Sequence, residues 1–203
     1  MDENFLEIRD LERAKKILED IPNGVEKASI RAINRSLTTL KKNLKKEVTR
    51  NYGIKSNDVE KSLSTKKPTY TAISGLIRSK APTISMYKFF KSQNKKGVTV
   101  LIKKSEGKHR VKGKDTLHGI PFVAKMANGH YGIFQRNNRV RKVEIKDKSY
   151  KTQGLTQLNT LSIPQMLGSN SVMEYVKNNG AQEMVEQNFE REVDKILKGY
   201  YKK

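Results

Sequence analysis

The chain has 203 residues, 42 Lys and Arg against 21 Asp and Glu, and a formal charge of +21 at pH 7, a length that predicts one domain, with room for an appended arm, and a real core. It contains no Cys, which excludes disulfide scaffolds, thiolate metal sites and thiol nucleophiles, and no apolar run approaches the roughly 20 residues that cross a bilayer. Apolar residues at 35% are lean for a compact monomer beside 31% charged residues, yet long stretches keep clear periodicity, so disorder is not the reading.

The opening MDENFLEIRD is acidic and has no signal-peptide core, which predicts a protein made and kept in a cytoplasm. Phe5, Leu6 and Ile8 suggest a short strand or an apolar lead-in. Asp10 to Asp20 reads as a short amphipathic helix with Leu11, Ala14, Ile17 and Leu18 on one side, broken by Pro22-Asn23-Gly24. From Val25 to Asn51 runs the strongest helical pattern. Val25, Ala28, Ala32, Ile33, Leu37, Leu40, Leu44 and Val48 recur at three- and four-residue steps as a narrow stripe, and Lys and Arg fill the other face. Residues 54–63 suggest a loop with one more helical turn, capped by Asn57 or Asp58.

After Pro68 the period changes to two, and Tyr70 to Ile77 fits a strand. Gly97 to Lys104 is β-branched and predicts another. Residues 105–119 read as a mobile basic loop with at most a fragment of strand. Pro121–Ala127 and Tyr131–Gln135 form two short strands around the Asn128-Gly129 turn, and Val140–Ile145 suggests one more. Residues 146–160 are polar and read as a loop, and Leu161–Leu167, containing Pro164, as an extended connector. A terminal helix from Ser171 to Lys198 follows, with Asn178-Asn179-Gly180 set to kink or interrupt it. Helices, then strands, then a helix predict an α+β fold: a small antiparallel β-sheet flanked by a long N-terminal-half helix and a C-terminal helix.

The charge is unevenly placed. Residues 1–24 carry −3 and residues 171–203 are neutral, while residues 25–170 hold 32 bases against 8 acids, a local +24. A field of that size favours a polyanion partner and opposes self-association unless counterions or acidic neighbours offset it. Because Lys far outnumbers Arg, the charge points to phosphates and away from base reading. Three segments follow from the pattern: an arm with a short helix at 1–24, an α+β core with basic loops at 25–170, and a C-terminal helix at 171–203, packed on the core or on a neighbouring subunit.

No set of catalytic parts accompanies this surface. Neither a P-loop nor GxGxxG occurs, and Ser74-Gly75 and Gly168-Ser169 do not build a GxSxG elbow. A nuclease needs acids gathered on a divalent metal. The acids of the basic middle are Glu26, Glu47, Asp58, Glu60, Glu106, Asp115, Glu144 and Asp147, mostly in solvated contexts. His109, His118 and His130 are too few and too poorly spaced for a metal cage. No enzyme activity, metal or cofactor is expected.

One segment is specific. Gly119 to Arg136 contains F-x-A-x-M-x-x-G-H-x-G-I-F-x-R, carried by Phe122, Ala124, Met126, Gly129, His130, Gly132, Ile133, Phe134 and Arg136. The pattern resembles the minor tail protein Z family of tailed bacteriophages, the tail completion proteins. Arg31-Ala32-Ile33-Asn34-Arg35-Ser36-Leu37 is similar to that family's AINRTL opening, and Tyr52-Gly53-Ile54-Lys55 through Val59 and Leu63 to its next step. Gly97-Val98-Thr99-Val100 and Phe89 match its central strand and the loop before it. The resemblance covers roughly residues 25–200 and departs at 160–168, where Leu161-Ser162-Ile163-Pro164-Gln165-Met166 and Gly168-Ser169-Asn170 replace the family's Leu-Pro-Ile and Gly-Pro-Ser-Val-Pro runs.

The resemblance implies a tail-terminator-like fold and a structural virion protein acting at the head-proximal end of the tail. It implies a homo-oligomer, with a six-fold ring around the DNA channel as in related terminators, and as partners the tail tube protein and neck or connector proteins. The expected location is the tail–neck junction of the virion, after assembly in the host cytoplasm, with no membrane involved. Within that frame Lys103, Lys104, Lys108, Arg110, Lys112 and Lys114 are the candidates to face the channel DNA or acidic partners. The alternative is a free, sequence-nonspecific nucleic-acid-binding protein using the same basic surface.

Overall fold

A computed structural model describes residues 16–113, 119–145, 148–178 and 181–200. The fold is α+β, as the element order predicts. The chain separates into two compact units: one takes the chain through Val48, then Ser56–Lys80, and resumes at Leu167; the other comprises Thr49–Lys55 and Ala81–Met166.

The first unit is organised by helix α1, Gly24–Asn51, which follows the predicted stripe closely. Asn23 ends the preceding turn with φ +54, a conformation that Asn tolerates better than most residues. Small residues on one face of α1, Ala28, Ser29, Ala32 and Ser36, are buried together with Ile33 and Leu37. Against them lies the last helix of the chain, α5 (Ala181–Tyr200), through Val185, Phe189 and Val193, and Leu18 joins the same cluster. Small side chains let two helix backbones approach, and polar groups closed off by that approach need partners. Asn188 Nδ2 donates to Ser36 Oγ at 2.8 Å, and the nearly buried Glu192 carboxylate faces Arg35 and Lys195.

Helix α2, Ser56–Ser62, buries Val59 and is one turn longer than the sequence suggests. Its Glu60 is drawn below the ordinary carboxylate range by a hydrogen bond and charge from Lys45, then by Lys41. Strand β1 (Leu63–Lys66) pairs antiparallel with β2 (Leu76–Ser79). The strand predicted from Tyr70 therefore begins only at Leu76. Pro68 lacks an N–H, and Thr69 and Ala72 close a turn on each other through two backbone hydrogen bonds, so the alternation of Tyr70 to Ser74 has no partner strand. Helix α4, Asn170–Asn178, precedes α5, so the predicted terminal helix is described as two helices; Asn178 is the last residue of α4, and Asn179 and Gly180 lie outside the described residues.

The second unit carries three ladders. Strand β3 (Thr83–Ser85) pairs with β10 (Asn159–Ser162). A 3-10 turn, Met86–Phe89, leads into β4 (Phe90–Asn94), which forms an antiparallel sheet with β5 (Gly97–Val100) and the two-residue β6 (His109–Arg110). The third sheet orders β7 (Phe122–Lys125), β8 (Tyr131–Ile145) and β9 (Lys148–Gln157). Phe89, Val98, Val100, Ile133, Phe134, Leu158 and Met166 form its buried apolar interior.

Several expectations are corrected here. The strand predicted over Gly97–Lys104 stops at Val100, because the Leu101 N–H turns to the Phe89 carbonyl at 2.9 Å and Lys103 keeps only an isolated bridge to Tyr52. Val140–Ile145 is the outer half of β8 and not a separate strand. Of the loop predicted at 146–160, the described residues form strand β9 and the start of β10, and 146–147 lie outside the described residues. Polarity misled there: a strand with wet side chains needs no apolar alternation, and its Tyr and Thr residues are the better guide. The connector Leu161–Leu167 ends β10 and then makes one helical turn, α3 (Ile163–Leu167). Ser162 caps it reciprocally: Gln165 N–H donates to Ser162 Oγ at 3.4 Å, and Ser162 N–H to Gln165 Oε1 at 2.8 Å, a capping box in which Pro164 occupies the first turn, where its missing N–H costs nothing. Phe5, Leu6 and Ile8, and most of the predicted first helix, lie outside the described residues.

Ser162→Ala is expected to lower stability by about 1 kcal/mol. Gln165→Ala should cost about as much, and the double variant less than the sum, because one reciprocal box is being removed; urea denaturation of the four proteins measures the coupling.

Candidate nucleic-acid interface

The basic segment is anchored at both ends of its described part. At its start, the Lys104 N–H donates to the Asn51 carbonyl at 2.8 Å and the Lys104 ammonium to the Thr49 carbonyl at 2.8 Å. Lys103 donates to Glu106 at 2.9 Å, and that carboxylate lifts its pKa above the ordinary 10.5. Of the six candidates, Lys103 is thus partly neutralised and Lys104 tethered. Lys108, Arg110 and Lys112 are exposed; Lys114 and His118 lie outside the described residues. His109 and Arg110 form β6, opposite Val100 and Thr99, so one strand fragment fixes the middle of the loop. The next residue, Val111, donates its N–H to Val98 and turns its side chain inward.

Downstream the segment is pinned by an amide. Gln135 is 2% exposed, and its Nε2 donates to the Gly119 carbonyl at 3.0 Å. Gly113 sits against the same amide, where a β-carbon would collide with it. The two glycines that bracket residues 114–118 are therefore held on one buried side chain of β8. The sequence reading treats Gln135 as a variable place in the motif; a lone polar residue between Phe134 and Arg136 on an alternating strand was the signal available.

The motif hairpin explains its own residue types. In the β7–β8 register Phe122 stands opposite Phe134 and Ala124 opposite Gly132. Phe122, Ala124, Gly132, Phe134 and Arg136 therefore share one face, and Val123, Ile133 and Gln135 the other. The Phe134 ring folds back over Gly132, where a β-carbon would lie 2.7 Å from its Cε2 and Cζ. The Arg136 guanidinium stands 5.6 Å above the Phe122 ring, a cation–π arrangement. The loop is closed by Met126 N–H to His130 O at 2.8 Å and Gly129 N–H to Met126 O at 2.9 Å, with Gly129 at φ +82, where glycine is unstrained. His130 pairs with Gln157 at 3.2 Å, a structural role.

On the second face Lys125 lies 5.5 Å from the Tyr131 ring, which stacks on Tyr87 at 5.6 Å, and Tyr87 in turn on Phe90 at 5.7 Å. The 103–113 segment and the hairpin meet at Gly97, with Ile120 on one side and the Arg110 stem on the other. Basic residues absent from the sequence candidates follow along β8 and β9: Arg139, Lys142 and Lys151 are exposed. Among the described residues no group of three His, Cys, Asp or Glu stands where it could hold a metal, and no described helix is long and apolar enough to cross a membrane. What the surface offers chemically is ammonium and guanidinium groups on a rigid β framework.

The model of one protein family, prophage minor tail protein Z (GPZ), matches residues 8–203. The chain belongs to that family. The hairpin just described, with Gly132 seating Phe134 and Arg136 capping Phe122, is thus part of a minor tail protein Z chain, a structural component of the phage tail and so of the virion. No curated protein and no solved structure matches the chain.

Gln135→Leu keeps the side-chain volume but leaves the Gly119 carbonyl without its donor, at a cost of about 1–3 kcal/mol. Limited trypsin digestion is expected to cut the variant between Lys103 and Gly119 faster than the parent protein; equal rates would show that the amide does not hold the segment.

Proposed function

We propose that this tail protein is a completion or terminator subunit that closes with copies of itself into a ring at the head-proximal end of the tail. The ring caps the tail tube and prepares it for head joining around the DNA channel, without catalysis. The observation that carries this reading is the union of a minor tail protein Z chain over residues 8–203 with a local +24 between residues 25 and 170. Copies of so basic a chain repel unless polyanion or acidic neighbours lie among them, and a channel that passes DNA supplies the polyanion. A closed ring uses two different faces of each subunit; exposed apolar residues such as Ile120 and Tyr131 are available to such faces. Lys103, Lys104, Lys108, Arg110, Lys112 and Lys114 are proposed to line the lumen or meet acidic tube and neck proteins, with the hairpin residues Phe122 to Arg136 as the scaffold that holds them.

The rival is a free nucleic-acid-binding protein that needs only the basic surface. Light scattering after size exclusion at about 0.5 M salt separates the two, since that salt screens charges beyond a few ångströms. A ring held by apolar and sheet contacts is expected to persist near six subunits; a monomer or dimer favours the rival. Charge reversal at Lys108, Arg110 and Lys112 is expected to lower DNA retention in assembled particles, and unchanged retention would remove these residues from the lumen.

A further inference from the structure

The β8–β9 hairpin is longer than its sheet. Strand β7 pairs with β8 only from Tyr131 to Phe134, whereas β8 and β9 pair with each other out to Ile145 and Lys148. Beyond Arg136 the two strands therefore form a ribbon that no third strand flanks among the described residues. A bulge marks its root. Arg136 pairs with Leu155 and Val140 with Gln153, so residues 137–139 oppose Gly154 alone. Asn137 folds inward there: its Nδ2 donates to Thr156 Oγ1 at 2.9 Å, and its Oδ1 accepts from the Arg139 N–H at 3.1 Å. That oxygen occupies the space a β-carbon on Gly154 would need, 2.5 Å away. Such a bulge bends and twists the strand that carries it. From Val140 to Ile145 the ribbon then runs for six residues, about 20 Å at strand rise.

The ribbon is strongly basic. Residues 136–153 hold seven Lys and Arg against Glu144 and Asp147. Its register also sets Lys142 directly opposite Lys151, both exposed. Like charges across an antiparallel pair, with β-carbons about 5 Å apart, destabilise the pairing. Two ammoniums held side by side on an exposed ribbon suit an anion that both can reach. The exposed apolar residues Val140 and Leu155, 62% and 40% exposed, lie beside the bulge at the root, and Lys142 and Lys151 lie farther out. A Lys ammonium meets phosphate oxygens as a point charge, without the fork that reads base edges, so the opposed pair suits a sequence-nonspecific phosphate contact. A two-stranded ribbon also has the width that the major groove of B-DNA admits.

We infer that the outer β8–β9 ribbon is an arm that binds the phosphates of double-stranded DNA, with Lys142 and Lys151 as its paired contacts. The inference rests on the collar reading only for the source of the DNA; the binding is a property of the chain.

The test uses the full chain and a random-sequence duplex of about 30 base pairs, with affinity followed by fluorescence anisotropy from about 50 to 200 mM salt. Each phosphate contact contributes about 0.9 to the slope of log K against log salt. Lys142→Gln with Lys151→Gln is expected to lower the slope by about 2, and the Lys142→Arg, Lys151→Arg protein to keep it. If the double Gln variant does not fold, as judged by circular dichroism, each single Gln variant is expected to lower the slope by about 1. An unchanged slope, or a parent protein that does not bind the duplex, would overturn the inference. So would weakened binding of polyglutamate with an unchanged duplex slope, which would assign the arm to an acidic protein. Native mass spectrometry on the same samples separates the two proposals: a lone chain with an arm-dependent slope sinks the collar alone, and a ring with an arm-independent slope sinks the arm alone.

Discussion

Three consecutive buried residues in one strand, Ile133, Phe134 and Gln135, constrain everything around them in the second unit. Successive side chains of a strand point to opposite faces, so burial of three in a row at 0%, 5% and 2% exposure requires cover on both faces. Phe134 finds its cover at Gly132, within its own strand. Ile133 lies beside Leu158, whose N–H donates to its carbonyl. Gln135 is buried with an amide hydrogen given to the Gly119 carbonyl. The demand of one polar side chain for a partner thus determines where the basic segment returns to the sheet. One residue later the strand is wet, the ladder bulges, and the ribbon leaves the sheet.

The first unit meets a different demand, set by composition. The α1–α5 seam sets Ala and Ser residues together with Ile33 and Leu37 on one helix against Val and Phe on the other. Close approach replaces bulk, and Asn188 pairs with Ser36 across the seam, while the buried Ser29 hydroxyl has no hydrogen-bond partner among the described residues. Arg35 of α1 reaches Glu192 of α5 at the edge of this seam, and Lys41 and Lys45 gather on Glu60 of α2. Both units therefore keep positive charge at the surface by spending their few apolar residues on narrow contacts, which leaves the middle of the chain electrostatically active.

Much of this was legible in the residues. The 3.6-residue stripe of α1 marks its length to within a residue, and the glycines and aromatics of the hairpin mark both the turn and the family. The interrupted terminal helix follows from Asn178-Asn179-Gly180. Other parts were hidden for identifiable reasons. β9 reads as a loop because its residues are mostly polar and show no apolar alternation, and its pairing depends on β8, which local propensity does not see. α3 is hidden by Pro164, a helix breaker everywhere except the first turn. The opposition of Lys142 and Lys151 is a matter of register, set by the three-residue bulge at 137–139, and no count of charges along the chain reports it. Gln135 was visible as an odd polar residue, but its two glycine neighbours lie 16 and 22 positions away in sequence.

The division into two units has a consequence for how this protein can change over time. The chain passes between the units four times, at Val48, Lys55, Lys80 and Met166, and two of those passages fall inside helices, α1 and α3. Neither unit is a continuous stretch of gene. Ala81–Met166 is nonetheless one contiguous block that holds most of the second unit, whereas the first is assembled from three separate stretches, so exchange of a single block between related chains can carry most of the second unit but cannot carry the first by itself.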